Sequence, residues 1–148
     1  MSEQRPLLRV CSLLNKHGAK YLVVGAQACW LHGYVRATGD VDILVPEDLR
    51  NHSLIIAALS ELDDRAATEL TPQDFVDNVV VKIADEVEVD VSTRAWTVTY
   101  EAAVKTALIA KVEGVDIPYV DRQTLIASKQ TYRDQDRVDI QRLLEAEN

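Results

Sequence analysis

Asp40 and Asp42 stand two residues apart inside an otherwise apolar run of Val41, Ile43, Leu44 and Val45. On a β-strand, side chains at i and i+2 point to the same face, so the two carboxylates project together. Adjacent like charges are satisfied most simply by a divalent cation. Mg²⁺ suits them, taking oxygen ligands, usually from one or two carboxylates plus waters and substrate phosphates. The same triplet also fits a solvated strand, with Val41 and Ile43 buried and the acids facing water. Three neighbours tip the balance towards a site. Asp90 lies in Val87-Glu88-Val89-Asp90-Val91, a second β-branched run that reads as a strand. Paired beside the first, roughly 4.8 Å away, it brings a third carboxylate to the pair. Val23-Val24-Gly25-Ala26 runs from a strand into a small-residue turn, and Ala26 to Leu31 reads as a short helix stopped by Gly33. Backbone N–H groups at such a helix start bind phosphate oxygens. Arg36 and Thr38, between Gly33 and Gly39, add polar side chains to the loop beside the acids.

The elements that must position these residues follow from periodicity. Arg5 to Lys16 carries Leu7, Leu8, Val10, Cys11, Leu13 and Leu14 at helical spacing, and Gly18 closes that helix. Tyr21–Val24 and Val41–Val45 read as strands. A helix is expected from Pro46 to about Leu62, with Glu47 and Asp48 in its first turn. Residues 63–69 read as a polar loop, and Thr71-Pro72 as an N-cap with proline at the first helical position. Asn78–Ala84 and Val87–Ser92 suggest a hairpin bending at Asp85-Glu86. A short helix over Tyr100–Thr106, capped by Thr99, precedes a second hairpin, Leu108–Val112 and Val115–Val120 around Glu113-Gly114. Helices from Asp121 to about Gln130 and from Asp134 to Glu147 finish the chain. Helices mixed with paired strands indicate one α/β (α+β) domain over residues 1–148, with a short mixed sheet packed against helices.

Composition narrows the function classes. The chain has 148 residues, 47% of them hydrophobic, which is enough for one buried core. No run of 18 apolar residues is present and the first five residues lack signal-peptide character, so a cytoplasmic protein without a membrane partner is expected. Cys11 and Cys29 read as buried thiols. His17, His32 and His52 lack zinc-ligand spacing, and His32 reads as a packed histidine. A net charge of -8 argues against non-specific binding to nucleic acid, and Arg133, Arg137 and Arg142 alternate with acids as on a solvated helix.

The ordered string Gly25-Ala26, Ala28, Gly33, Arg36, Thr38, Asp40 and Asp42, followed by a third strand carboxylate, resembles the minimal nucleotidyltransferases of the polymerase-β-like superfamily. The branch it resembles most is that of the AbiEii-type and related small prokaryotic nucleotidyltransferase-like proteins. Leu125 to Lys129, with Arg133, Gln135, Asp136 and Asp139, resembles the end of that branch, so the likeness spans about residues 20 to 145. The resemblance implies a nucleotidyltransferase-like fold and two Mg²⁺ ions, or Mn²⁺, carrying an NTP. One ion lowers the pKa of an acceptor hydroxyl and the other neutralises the triphosphate. Asp40 and Asp42 would then be metal ligands, and Asp90 a ligand or the base for the acceptor. Gly25 and Ala26 would offer N–H groups to the phosphates, with Arg36 and Thr38 beside them. Lys129 would contact a phosphate, its alternative being an ordinary exposed lysine; Asp136 and Asp139 read as structural. Where the family usually has Gly-Gly or Gly-Ser, this chain has Gly25-Ala26, which keeps the N–H and removes a hydroxyl.

The reading that follows is an Mg²⁺-dependent transferase moving a nucleoside monophosphate from an NTP to a hydroxyl of RNA, protein or a small molecule. An antibiotic-type adenylyltransferase is a second enzyme reading, although no acceptor domain is evident. The non-enzyme alternative is a binding or regulatory module of the same fold acting with a protein partner. A toxin–antitoxin or defence role is implied by the branch alone.

Overall fold

The computed structural model describes residues 5–34, 39–131 and 133–146. The chain opens with α1 (Arg5–Lys16), whose Leu7, Val10, Cys11 and Leu14 are all fully buried at helical spacing. Gly18, at φ +70, ends it in a Schellman turn: Ala19 N–H donates to the Leu14 carbonyl and Gly18 N–H to Asn15. There follow β1 (Leu22–Val24), α2 (Gly25–Leu31), β2 (Val41–Leu44) and α3 (Leu49–Leu59). A 3₁₀ turn at Ala66–Glu69 leads to α4 (Pro72–Asp77), then β3 (Val80–Ala84) and β4 (Glu88–Ser92). The small hairpin of β5 (Arg94–Ala95) and β6 (Val98–Thr99) precedes α5 (Tyr100–Ala103). A second 3₁₀ turn, β7 (Leu108–Val112), β8 (Val115–Tyr119), α6 (Arg122–Ser128) and α7 (Asp134–Ala146) complete the order.

Six strands form one mixed sheet in the order β3-β4-β2-β1-β8-β7. β2 runs parallel to β4, and β1 to β8; the other neighbours are antiparallel. Alternation along β3 and β4 explains the two faces. Val81, Ile83, Val89 and Val91 are buried and lie in register with Val41 and Ile43 on one face. Helix α1 packs on β2 and β8, α3 on α1, and α4 on α3 and β3. The intervening residues Lys82, Asp90 and Asp42 share the other face, side by side on three neighbouring strands.

Both expected hairpins form. The turn between β7 and β8 has positive φ at both central residues, Glu113 (49) and Gly114 (82), the twist that a two-residue hairpin loop requires. The helix expected from Pro46 starts instead at Leu49, because Asp48 caps it by accepting from the Arg50 and Asn51 N–H groups. Part of the loop expected over residues 63–69 is a 3₁₀ turn, and the helix expected over Tyr100–Thr106 tightens to 3₁₀ geometry after Ala103. The β5–β6 hairpin, with Trp96 at φ 58, had no distinct sequence signal.

Candidate active site

The parallel register of β2 and β4 sets Asp42 directly opposite Asp90. Antiparallel pairing sets Val24, the last residue of β1, on the other side of Asp42. The chain leaves β1 at Gly25, and a Cβ built there would lie 2.1 Å from the Asp42 Oδ2 and 2.9 Å from its Cγ. Gly25 also has φ +68, which disfavours any L side chain. This glycine therefore makes room for a carboxylate, a reason different from the phosphate cradle expected of it. Ala26 follows it, buried, in the first turn of α2.

Asp42 is mostly shielded from water, and its pKa is pushed up to about 7. Burial is the largest cause, followed by the Asp90 charge, a hydrogen bond with Asp90 and the Asp40 charge; Lys129 pulls the other way. Two facing carboxylates offer only acceptors unless one is protonated. Accordingly, Asp90 Oδ1 is buried with no donor bound to it. Its Oδ2 accepts from Lys82 Nζ at 3.3 Å, from the edge strand β3. Asp40 stands exposed one residue before β2, and its backbone carbonyl accepts from the buried Gln27 Nε2 at 3.4 Å. Across from it, Glu88 has its pKa raised first by a hydrogen bond to Asp40, then by that charge, burial and Asp90, with Lys82 opposing. Acid pairs on β2 and β4 thus face one another as Asp40 with Glu88 and Asp42 with Asp90.

The residues fit a hard divalent cation in donor type, since carboxylate oxygens are what Mg²⁺ takes. The unpaired Asp90 oxygen and the raised Asp42 pKa both mark a place that lacks positive charge. Among the described residues no three acidic, histidine or cysteine side chains are already gathered as a cage. Asp42 and Asp90 face each other, and Asp40, exposed and hydrogen-bonded to Glu88, lies close enough to Asp42 for its charge to act there.

Lys129 is 4% exposed, so it is not the ordinary surface lysine of the alternative reading. Its Nζ donates to Asp139 Oδ2 at 2.8 Å and lies 3.9 Å from Asp136, tying α6 to α7. Asp139 also accepts from Gln135 at 2.8 Å, and Asp136 from Thr131. Both acids are structural partners here, and any phosphate contact by Lys129 would be shared with them. His32 is packed as expected, its Nε2 bonded to the Val120 carbonyl at 2.8 Å and its ring edge-on to Tyr119. Arg36 and Thr38 lie outside the described residues. A surface cavity of about 360 Å³, lined by Glu47, Val79, Thr93, Arg94, Thr99 and Glu101, lies beyond the opposite ends of β2 and β4. None of Asp40, Asp42, Glu88 and Asp90 lines it.

Sequence reasoning passed over Glu88, Lys82 and Gln27. Glu88-Val89-Asp90 repeats the spacing of Asp40-Val41-Asp42, whereas a two-residue bend at Asp85-Glu86 would set Lys82 opposite Val89; the bend takes in Val87 as well, and this brings Lys82 opposite Asp90. Gln27 carried no such signal.

With this geometry in place, two solved structures are similar over nearly the whole chain. An antigenic nucleotidyltransferase-like protein from Paracoccidioides brasiliensis superposes with a TM-score of 0.61 at 15% identity, covering 98% of this chain and 75% of that one. A candidate nucleotidyltransferase from Thermotoga maritima superposes with a TM-score of 0.55 at 17% identity, covering 97% and 87%. The fold is nucleotidyltransferase-like. No family model and no curated protein matches the sequence. Among the described residues, no helix of this nucleotidyltransferase-like chain is long and apolar enough to cross a membrane.

Proposed function

We propose that this chain is a metal-dependent nucleotidyltransferase that moves a nucleoside monophosphate from an NTP to a hydroxyl acceptor. The observation that carries this reading is the Asp42–Asp90 pair, held face to face beside Gly25 with a buried oxygen that lacks a donor. Structural groups are rarely left this way; a buried acceptor without a partner costs free energy unless something binds there. Asp40, Asp42 and Asp90 would hold Mg²⁺ or Mn²⁺. When bound, such ions supply charge neutralisation for the triphosphate and acidify the acceptor hydroxyl. The acceptor oxygen forms a bond to the α-phosphorus as the bond to pyrophosphate breaks, and the hydroxyl proton passes to Asp90 or to water beside it. The β1–α2 turn at Gly25 and Ala26 would offer backbone N–H groups to the phosphates, and resemblance of the sequence to the family supports the same role for Arg36 and Thr38. The acceptor hydroxyl belongs to RNA, a protein or a small molecule, and resemblance of the sequence to the AbiEii-type branch supports a toxin–antitoxin or defence setting.

The test is incorporation of labelled NTP, each of the four in turn, into acceptors of a cell extract with Mg²⁺ or Mn²⁺. Wild type should label an acceptor, and Asp42→Asn and Asp90→Asn should each lose at least about a hundredfold, the scale of losing a charged group from a preorganised site. Metal bound by wild type with no incorporation from any NTP, yet capture of a partner protein, would replace the enzyme with a binding module of the same fold.

A further inference from the structure

Lys82 lies on the edge strand β3, in register with Asp90 and on the same sheet face as the four acids. Its Nζ is 3.3 Å from Asp90 Oδ2, yet its side chain is 68% exposed while that of Asp90 is 16% exposed. A lysine in this position is a cation at the mouth of a site short of positive charge. Among the described residues it is anchored by one ion pair at the surface, and such pairs contribute little to stability, so the four-carbon stem can swing away at small cost. Lys129 has no such freedom. Releasing it would strand Asp139, which is fully buried, without its cation.

We propose that Lys82 exchanges partners: it neutralises Asp90 when no metal is bound, and turns to the substrate's phosphates when a divalent cation takes its place. The inference rests on the nucleotidyltransferase reading and adds a residue to it. A cation that binds Asp90 through Oδ2 must displace the ammonium, so Lys82 opposes metal bound alone. Once displaced, the ammonium stays within reach of the same rim, and polyphosphate arriving on the metal offers it a denser negative charge than Glu88 does. Lys82 then favours the metal–phosphate complex. One substitution therefore acts with opposite signs on two equilibria, which a general loss of positive charge or a folding defect does not do.

Two calorimetric titrations separate these effects, Mn²⁺ into the protein and inorganic tripolyphosphate into the Mn²⁺-saturated protein. Lys82→Met should tighten Mn²⁺ alone by up to about fivefold, the upper range for an exposed ion pair. The same variant should weaken tripolyphosphate by about tenfold, the scale of one charge-assisted hydrogen bond. Lys82→Arg should stay near wild type in both. Lys111→Met removes a lysine paired with Asp116 at 3.7 Å on the far edge strand, and should leave both unchanged. Equal tightening of Mn²⁺ in Lys111→Met, or effects of the same sign in both titrations of Lys82→Met, would overturn the exchange. A wild type that binds no Mn²⁺ would remove the metal reading itself, and that result is read before any variant is compared.

Discussion

At the scale of single residues, Asp42 carries two opposing demands. Its strand neighbours bury it, and Asp90 and Asp40 add charge to the same volume, so the folded state favours its protonated form. The folded pKa of about 7 stands above the ordinary aspartate value of 3.8, so between those limits the folded chain binds more protons than the unfolded one. Stability of the metal-free protein therefore falls as pH rises from about 4 to about 7, and levels off above. Asp42→Asn removes this slope and should raise stability at pH 7.5 by on the order of a few kcal/mol. Urea denaturation in EDTA across that range checks it, and an unchanged slope in the variant would place the repulsion elsewhere. Gly25 tests the same contact from the other side. Gly25→Ala must hold a side chain at φ +68 and push its Cβ into Asp42 Oδ2, so a loss of about 2 kcal/mol or more is expected. Asp42→Ala in the same chain should recover part of that loss, a favourable coupling in a double-mutant cycle. Additive losses would mean that φ alone is at fault.

At the scale of elements, α6 and α7 depend on a buried ion pair more than on their own sequence. Lys129 is held between Asp139 and Asp136, and removing one member leaves the others charged and dry. Lys129→Met should cost about 3–5 kcal/mol, and adding Asp139→Leu should return much of it, because a packed apolar pair avoids the desolvation penalty. Urea midpoints at constant m-value decide this; a single substitution costing under about 1 kcal/mol would show that water reaches the pair. The elements differ in how readily they are read from the chain. Helix α1 and the hairpins are local, their signals lying in Leu7 to Leu14 spacing, Gly18, and the β-branched runs around Asp85-Glu86 and Glu113-Gly114. Pro46, a favoured first helical residue, points to a start of α3 earlier than the observed Leu49. Its carbonyl instead accepts from His52 at 3.1 Å, and Asp48 takes the cap. The placement of Asp90 beside Asp42 was expected from two apolar strands carrying acids. Its parallel register, across a crossover containing α3 and α4, has no local signal. Burial of Lys129 depends likewise on an acid ten residues away, which composition alone does not reveal.

At the scale of the molecule, the site and the core are opposite faces of the same central strands. Val41 and Val89 are buried beneath the face that carries Asp42 and Asp90, so cation binding on one side is coupled to unfolding of the other. The thiols report that unfolding. Cys11 and Cys29 are both fully buried, and burial pushes the Cys11 thiol up to about 12, so neither folded cysteine offers a thiolate to a disulfide reagent. Labelling should proceed only through opening of the core, at a rate set by the population of the open state when reclosing is fast. A ligand that binds only the folded chain lowers that population by the factor 1 + L/Kd, where L is its free concentration. Mn²⁺ at about 100 times its dissociation constant should therefore slow thiol labelling about a hundredfold in wild type. In Asp42→Asn and Asp90→Asn the same concentration should change the rate little, because the site has lost a charged ligand. Cysteines that react within mixing time in the native protein would show that the core under β2 opens without global unfolding. Equal slowing by Mn²⁺ in both variants would move the cation away from the Asp42–Asp90 pair.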